Sequence, residues 1–293
     1  MNQPDKSTLV LKELIKTNPL DDRAFQILLN NNDTFFQIVQ IITGRPVPNA
    51  VVIDFPQVLV AVVEGREIRL DTVRQIGGEV YNLEGQNKAS DFTFKRHLFH
   101  WANTFSQTIQ KSGKFEDAMP VITIVLYKDN SDEPVFQDCC LSGTLVKTDT
   151  KMLDLIALNA KKWKDAESEE LKIFLSIVSN GVYTEENKCS FEGVNTESPL
   201  FKKLNRDIRL SCSYYRLEEA EEKGDTEMVK LYKDFISEED REKNRAEGRA
   251  EGEKRGKIET LYTVVKWTVE QIASHLKIDE TEVKKTLQEL KLI

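Results

Sequence analysis

Hydrophobic positions recur every three or four residues at the start of the chain and then change period. From residue 7 to residue 43 the apolar set Leu11, Leu14, Ile15, Phe25, Leu28, Leu29, Phe35, Phe36, Val39 and Ile42 predicts short helices, broken at Asn18-Pro19 and at Asn30 to Asn32. Between residues 51 and 63 the runs Val51 to Phe55 and Val58 to Val63 are rich in β-branched residues and predict strands, with Pro56 interrupting the pairing. Two more strand-like segments follow, Glu67 to Ile76 and Glu79 to Gln86, joined by Gly77-Gly78. A glycine pair favours a tight hairpin, because both central residues of such a turn favour positive φ.

Asp91 is placed to cap a helix running to about Ile109, and Pro120 to Tyr127 is a short, nearly all-apolar run of the buried-strand type. Asn130 to Pro134 predicts a turn, and Val135 to Val146 another strand. Leu153 to Trp163, Ser168 to Ser179 and Lys202 to Glu222 carry apolar residues at helical spacing with charges between them. The expected fold is α/β (α+β): a mixed central sheet flanked by helices, with a helical C-terminal extension. Its parts are a core at 1–163, helices packed on it at 164–237, a charged segment at 238–257 and a small tail at 258–293.

The charged segment repeats Glu, Arg and Lys around Gly248, Gly252 and Gly256. Each glycine costs a helix about 1 kcal/mol relative to alanine, so the segment reads as a connector, or as a marginal helix held by Glu to Lys/Arg pairs. In the tail, Thr268 can cap Val269 to His275, and Asp279 with Glu282 resembles a capping box opening Glu280 to Leu290. The tail looks like a helix-turn-helix, yet its second helix begins Glu280-Thr281-Glu282, acidic where a groove reader needs basic or amide groups. Docking or assembly, including a homo-oligomer through these C-terminal helices, is the expected role.

Facing residues of a two-residue hairpin have a constant sum of residue numbers. The Gly77-Gly78 turn therefore sets Asp71 opposite Glu84, Val73 opposite Asn82 and Arg69 opposite Gln86. Facing Cβ atoms lie ~5 Å apart, where two like charges repel unless a cation lies between them or water surrounds them. The spacing alone leaves both readings open. A one-residue slip would separate the two acids.

The 293 residues are 40% hydrophobic and 31% charged, enough for a sizeable core with an appendage or for two domains. No stretch approaches the ~20 apolar residues of a membrane span, and the first residues lack a basic region followed by an apolar run, so a cytoplasmic protein is expected. Cys139, Cys140, Cys189 and Cys212 have neither paired metal-site spacing nor the density of a disulfide scaffold. His97 and His100 lie one helical turn apart, but no third nitrogen or sulfur donor stands near them in sequence. Trp101 and Trp163 read as packing aromatics. A net charge of −8 argues against a protein that coats nucleic acid nonspecifically, while leaving room for a local basic face built from Arg69, Arg74, Lys95 and Arg96.

Ile-Arg-Leu-Asp71, Tyr-Asn-Leu-Glu84-Gly-Gln86, the helix around Arg96 with His100-Trp101, and the strand Pro120 to Val125 together resemble the PD-(D/E)xK nuclease family transposases, or recombination-promoting nucleases. Asp22-Arg-Ala-Phe25-Gln26 is similar to that family's opening Asp-x-x-Phe-Lys segment, and the Glu/Arg/Gly stretch with its helical tail to its usual C-terminus. The resemblance implies a restriction-endonuclease-like core that hydrolyses DNA with Mg²⁺ or Mn²⁺. It assigns Asp71 and Glu84 to the metal, Asp22 to an additional acid, and Gln86 to the position where the wider superfamily has lysine. An amide can position water but cannot supply lysine's charge, for which Lys88 on the same strand face is the nearest substitute. Lys88, Lys95, Arg96 and Arg69 are the expected DNA contacts. Gln26, in place of the family's lysine, weakens the phosphate contact expected from that helix.

Overall fold

The computed structural model describes residues 6–45, 52–54, 58–60, 67–69, 72–88, 91–109, 114, 117–129, 136–140, 153–276, 278–290 and 292–293. Three helices open the chain: α1 (Lys6–Lys16), α2 (Asp22–Leu29) and α3 (Asn32–Thr43). Asn31 caps α3 by accepting from the Asp33 and Thr34 amides, and Gly44 ends it at a φ of 65°. The asparagines that interrupt the helical pattern are therefore a cap and its approach.

Strands β1 (Val52–Asp54), β2 (Val58–Val60), β3 (Glu67–Arg69), β4 (Thr72–Ile76) and β5 (Glu79–Lys88) come next, then α4 (Asp91–Gln107), β6 (Val121–Asp129), β7 (Phe136–Cys140) and β8 (Leu153–Asn159). Six strands form one mixed sheet in the order β1-β4-β5-β6-β8-β7. The β4–β5 hairpin has the predicted register, from Ile76↔Glu79 to Thr72↔Leu83, with Val73 opposite Asn82. Of the turn glycines only Gly77 takes a positive φ, at 60°; the expectation that both would is corrected. Strands β5, β6 and β8 run parallel, with α4 in the crossover from β5 to β6.

Two other expectations need correction. Glu67 to Arg69 does not extend the hairpin: it pairs with Val58 to Val60 in a separate two-stranded sheet, where Arg69 faces Val58 and not Gln86. Leu153 to Asn159, predicted as helix, is a strand between β6 and β7. A strand buried on both sides of a sheet carries apolar residues on both faces, and that run is not distinguishable from helical spacing by sequence periodicity. A 3₁₀ turn at Ala160–Asp165 follows it.

Helix α5 (Glu169–Asn180) starts at Ser168, whose hydroxyl accepts from the Leu171 amide, and α6 (Pro199–Lys223) starts at Ser198, with proline in its first turn. One face of the sheet, carrying Tyr81, Leu83, Ile122, Ile124, Leu126, Ile156 and Leu158, packs on the first three helices, α5 and α6 in the main core. The other face carries Val73, Val80 and Val121 against Trp101 and Phe105 of α4. Trp101 stacks on Phe105 with ring centroids 5.3 Å apart and donates its indole N–H to the Val121 carbonyl, so it is a packing aromatic. Trp163 lies in the main core.

The chain divides into two compact units, 1–235 and 236–293. Helix α7 spans Thr226–Thr263, so the charged glycine-containing segment at 238–257 is helical. In the second unit Ile258, Ile272, Val283 and Leu287 form a small core with α8 (Val269–Leu276) and α9 (Glu280–Glu289). Thr268 and Gln271 cap α8 reciprocally: the Gln271 amide donates to the Thr268 hydroxyl, and the Thr268 amide to the Gln271 side chain. Asp279 caps α9 through the Thr281 amide, but the Glu282 side chain pairs with Lys254 instead of closing a box. No described helix is long and apolar enough to cross a membrane.

Candidate functional site

The α4 face of β5 becomes polar partway along the strand. Alternation sends Tyr81, Leu83 and Gly85 into the main core and Asn82, Glu84, Gln86 and Lys88 to the α4 side. Asn82 and Glu84 are buried, Gln86 half-buried and Lys88 exposed, so the row runs from the interior to the surface. Thr123 and Tyr127 on β6 pair with Asn82 and Gln86 in the parallel register and border this row.

Glu84 is 1% exposed, and a carboxylate so buried needs partners. Its Oε1 accepts from the Asn82 amide at 3.1 Å and lies 3.2 Å from His100 Nδ1. The half-exposed Arg96 guanidinium stands 3.9 Å from Oε2, which has no hydrogen bond among the described residues. His97, one turn before His100, turns inward to the same place, with its ring 6.1 Å from that of His100 and 6.4 Å from Tyr127. Neither His97 nitrogen has a hydrogen-bond partner among the described residues, although the side chain is buried. Burial pushes the His97 imidazole down to about 4, helped by the positive charge of Arg96 and by His100 and opposed by Glu84, so it is neutral at pH 7 with a free lone pair.

One ligand atom from each of Glu84, His97 and His100 lies within 4.8 Å of the others. Two imidazoles and a carboxylate are a donor set for a divalent transition metal, of the borderline kind that accepts nitrogen as readily as oxygen. Sequence spacing misses this group because the third donor, Glu84, sits on a different element and meets the histidines only through the β5–α4 packing. The signal present in sequence was a pair of histidines one turn apart on a helix that directly follows a strand bearing an acid.

The other predicted residues fall in different places. Asp71 lies outside the described residues; the described register ends at Thr72↔Leu83. Asp22 is exposed in the first turn of α2, outside the Glu84 group. The turn leading into α2 is tied to the far end of β5 by the Asn18 amide, which donates to Asn87. Lys95 and Arg96 are exposed on α4, and Lys88 is exposed at the end of β5. Arg74 is buried and sits with its guanidinium 5.9 Å from the Phe35 ring centroid, on the main-core side, so it is not part of a basic surface. No known family model matches the chain, and no curated protein or solved structure is detectably similar to it.

Proposed function

We propose that the chain is a metal-dependent endonuclease acting on DNA, of the recombination-promoting kind its motifs resemble. The observation that carries this reading is the polar row of β5, in which a buried carboxylate, Glu84, is followed on the same face by Gln86 and then by the exposed Lys88. A mixed sheet with an antiparallel hairpin, a covering helix and parallel strands beyond it supports the restriction-endonuclease-like form of the core.

In this mechanism Glu84 would hold the ion, with Asp71 as the second carboxylate. The ion, when bound, polarises the phosphodiester and lowers the pKa of the attacking water. Gln86 would hydrogen-bond that water and fix its direction. Lys88, Lys95 and Arg96, all exposed near this end of the sheet, neutralise the phosphates flanking the cut. Supercoiled plasmid incubated with the full chain in Mg²⁺ or Mn²⁺ is expected to be nicked or linearised, and Glu84→Gln or Asp71→Ala to lose at least about 100-fold in rate, the magnitude of removing one strongly placed charge stabiliser. Equal cleavage by wild type and both variants, or none in either metal, overturns the reading.

Gln86 favours a second reading, since an amide replaces the lysine of the wider superfamily. In that case the chain binds DNA without cutting it. Retention of DNA in EDTA, with intact plasmid under every metal condition, is its expected result.

A further inference from the structure

We propose that Glu84, His97 and His100 bind one divalent transition-metal ion of the Zn²⁺, Co²⁺ or Ni²⁺ class in preference to Mg²⁺. The inference rests on the geometry of these three side chains; it shares Glu84 with the nuclease reading, in which this ion, rather than Mg²⁺, would be the one that Glu84 holds.

Buried polar atoms without partners concentrate around Glu84. Glu84 Oε2, both His97 nitrogens, Asn82 Oδ1 and Thr123 Oγ1 are buried without a hydrogen-bond partner among the described residues; Asn82, Glu84 and Thr123 lie on the α4 side of β5 and β6, and His97 of α4 reaches Glu84 from the helix. An unpartnered buried polar atom is destabilising, so a concentration of them marks a place where something else completes the bonding. His97 is the clearest case: at 1% exposure it contributes two unpaired nitrogens.

Distance and donor type also fit a metal ion. The three ligand atoms already lie within 4.8 Å of one another. Bonds of about 2.1 Å to a tetrahedral ion set donors about 3.4 Å apart, so the side chains need to close by little more than 1 Å. The His100–Glu84 contact, 3.2 Å from Nδ1 to Oε1, already holds two of the donors together. Arg96, 3.9 Å from Oε2 and half exposed, balances the carboxylate charge until an ion binds and has room to withdraw. Imidazole nitrogens select against Mg²⁺, which takes oxygen donors and keeps its waters, and in favour of borderline ions. Three protein donors leave one position of a tetrahedral ion, or three of an octahedral one, open to water or to the oxygens of a substrate.

The test uses the full chain freed of metal with a chelator and then titrated with Co²⁺, followed by its visible absorption, and with Zn²⁺, followed by equilibrium dialysis. The expected result is one ion per chain at micromolar or lower concentration, undiminished by millimolar Mg²⁺. The Co²⁺ spectrum should lack thiolate charge-transfer absorption, which separates this site from the four cysteines. His97→Ala, His100→Ala and Glu84→Gln should each weaken binding at least 10-fold, while His275→Ala, the third histidine, should leave it unchanged. A thermal melt guards against variants that fail to fold: Zn²⁺ should raise the Tm of wild type and not that of His97→Leu, which fills the same buried space without a donor. Binding that survives His97→Leu, thiolate absorption, or no bound ion at micromolar metal overturns the proposal. Metal bound tightly by a chain that leaves plasmid intact would overturn the nuclease reading alone.

Discussion

The ring of Phe25 presses against the backbone of Gly85, so closely that a methyl group built on Gly85 would stand 3.1 Å from Phe25 Cδ1. This contact seats α2 on the main-core face of β5, one residue from Glu84 on the opposite face. Glycine is needed here for close approach, since no positive φ is involved. The contact therefore ties the packing of the core to the strand that carries the candidate site.

Gly85→Ala is expected to destabilise the protein by about 1–3 kcal/mol, because Phe25 is 1% exposed and has little space to yield. Urea denaturation measures it. In a Phe25→Leu background the same substitution should cost less, and a double-mutant cycle showing additivity would refute the contact as the cause.

The hairpin turn makes a sharper contrast. Gly77 lies at a φ of 60°, whereas Gly78 does not take a positive φ, and a Cβ on either meets open space. Gly77→Ala should therefore destabilise by about 1 kcal/mol through backbone strain, and Gly78→Ala should be neutral or slightly stabilising. Equal effects in thermal melts would place the strain elsewhere in the turn.

Cys189 is exposed and Cys212 is buried, with its thiol pushed up to about 12 by that burial. Iodoacetamide at pH 8 should alkylate Cys189 in the native protein and leave Cys212 intact until denaturant is added, as read by peptide mass spectrometry. The same burial has a thermodynamic sign. The folded thiol stays protonated while the unfolded one ionises near its ordinary value of 9.0, so the unfolded state binds fewer protons above that pH and stability falls as pH rises from about 9 towards 12. Cys212→Ala should flatten this decline relative to wild type.

Local chemistry fixed much of this protein before any long-range contact is considered. The Gly77-Gly78 turn sets the β4–β5 register, because a two-residue loop admits one alignment. Ser168, Thr268 and Asp279 stop or start their helices through bonds reaching two or three residues along the chain. The capping Asp91 and the short, nearly all-apolar run at Pro120 to Tyr127 were likewise sufficient for α4 and β6. Periodicity failed at Leu153 to Asn159, which is a strand because β6 and β7 offer backbone partners on both sides, and at Glu67 to Arg69, which finds its partner in β2. Tertiary structure alone decided the surroundings of Glu84. The acid and the two histidines are separated along the chain by a strand end and a helix start, and they meet only because α4 folds back over β5 to cover the apolar residues beneath Trp101 and Phe105. Hydrophobic burial, which is indifferent to chemistry, brings the helix down; where its polar residues then land depends on the whole sheet.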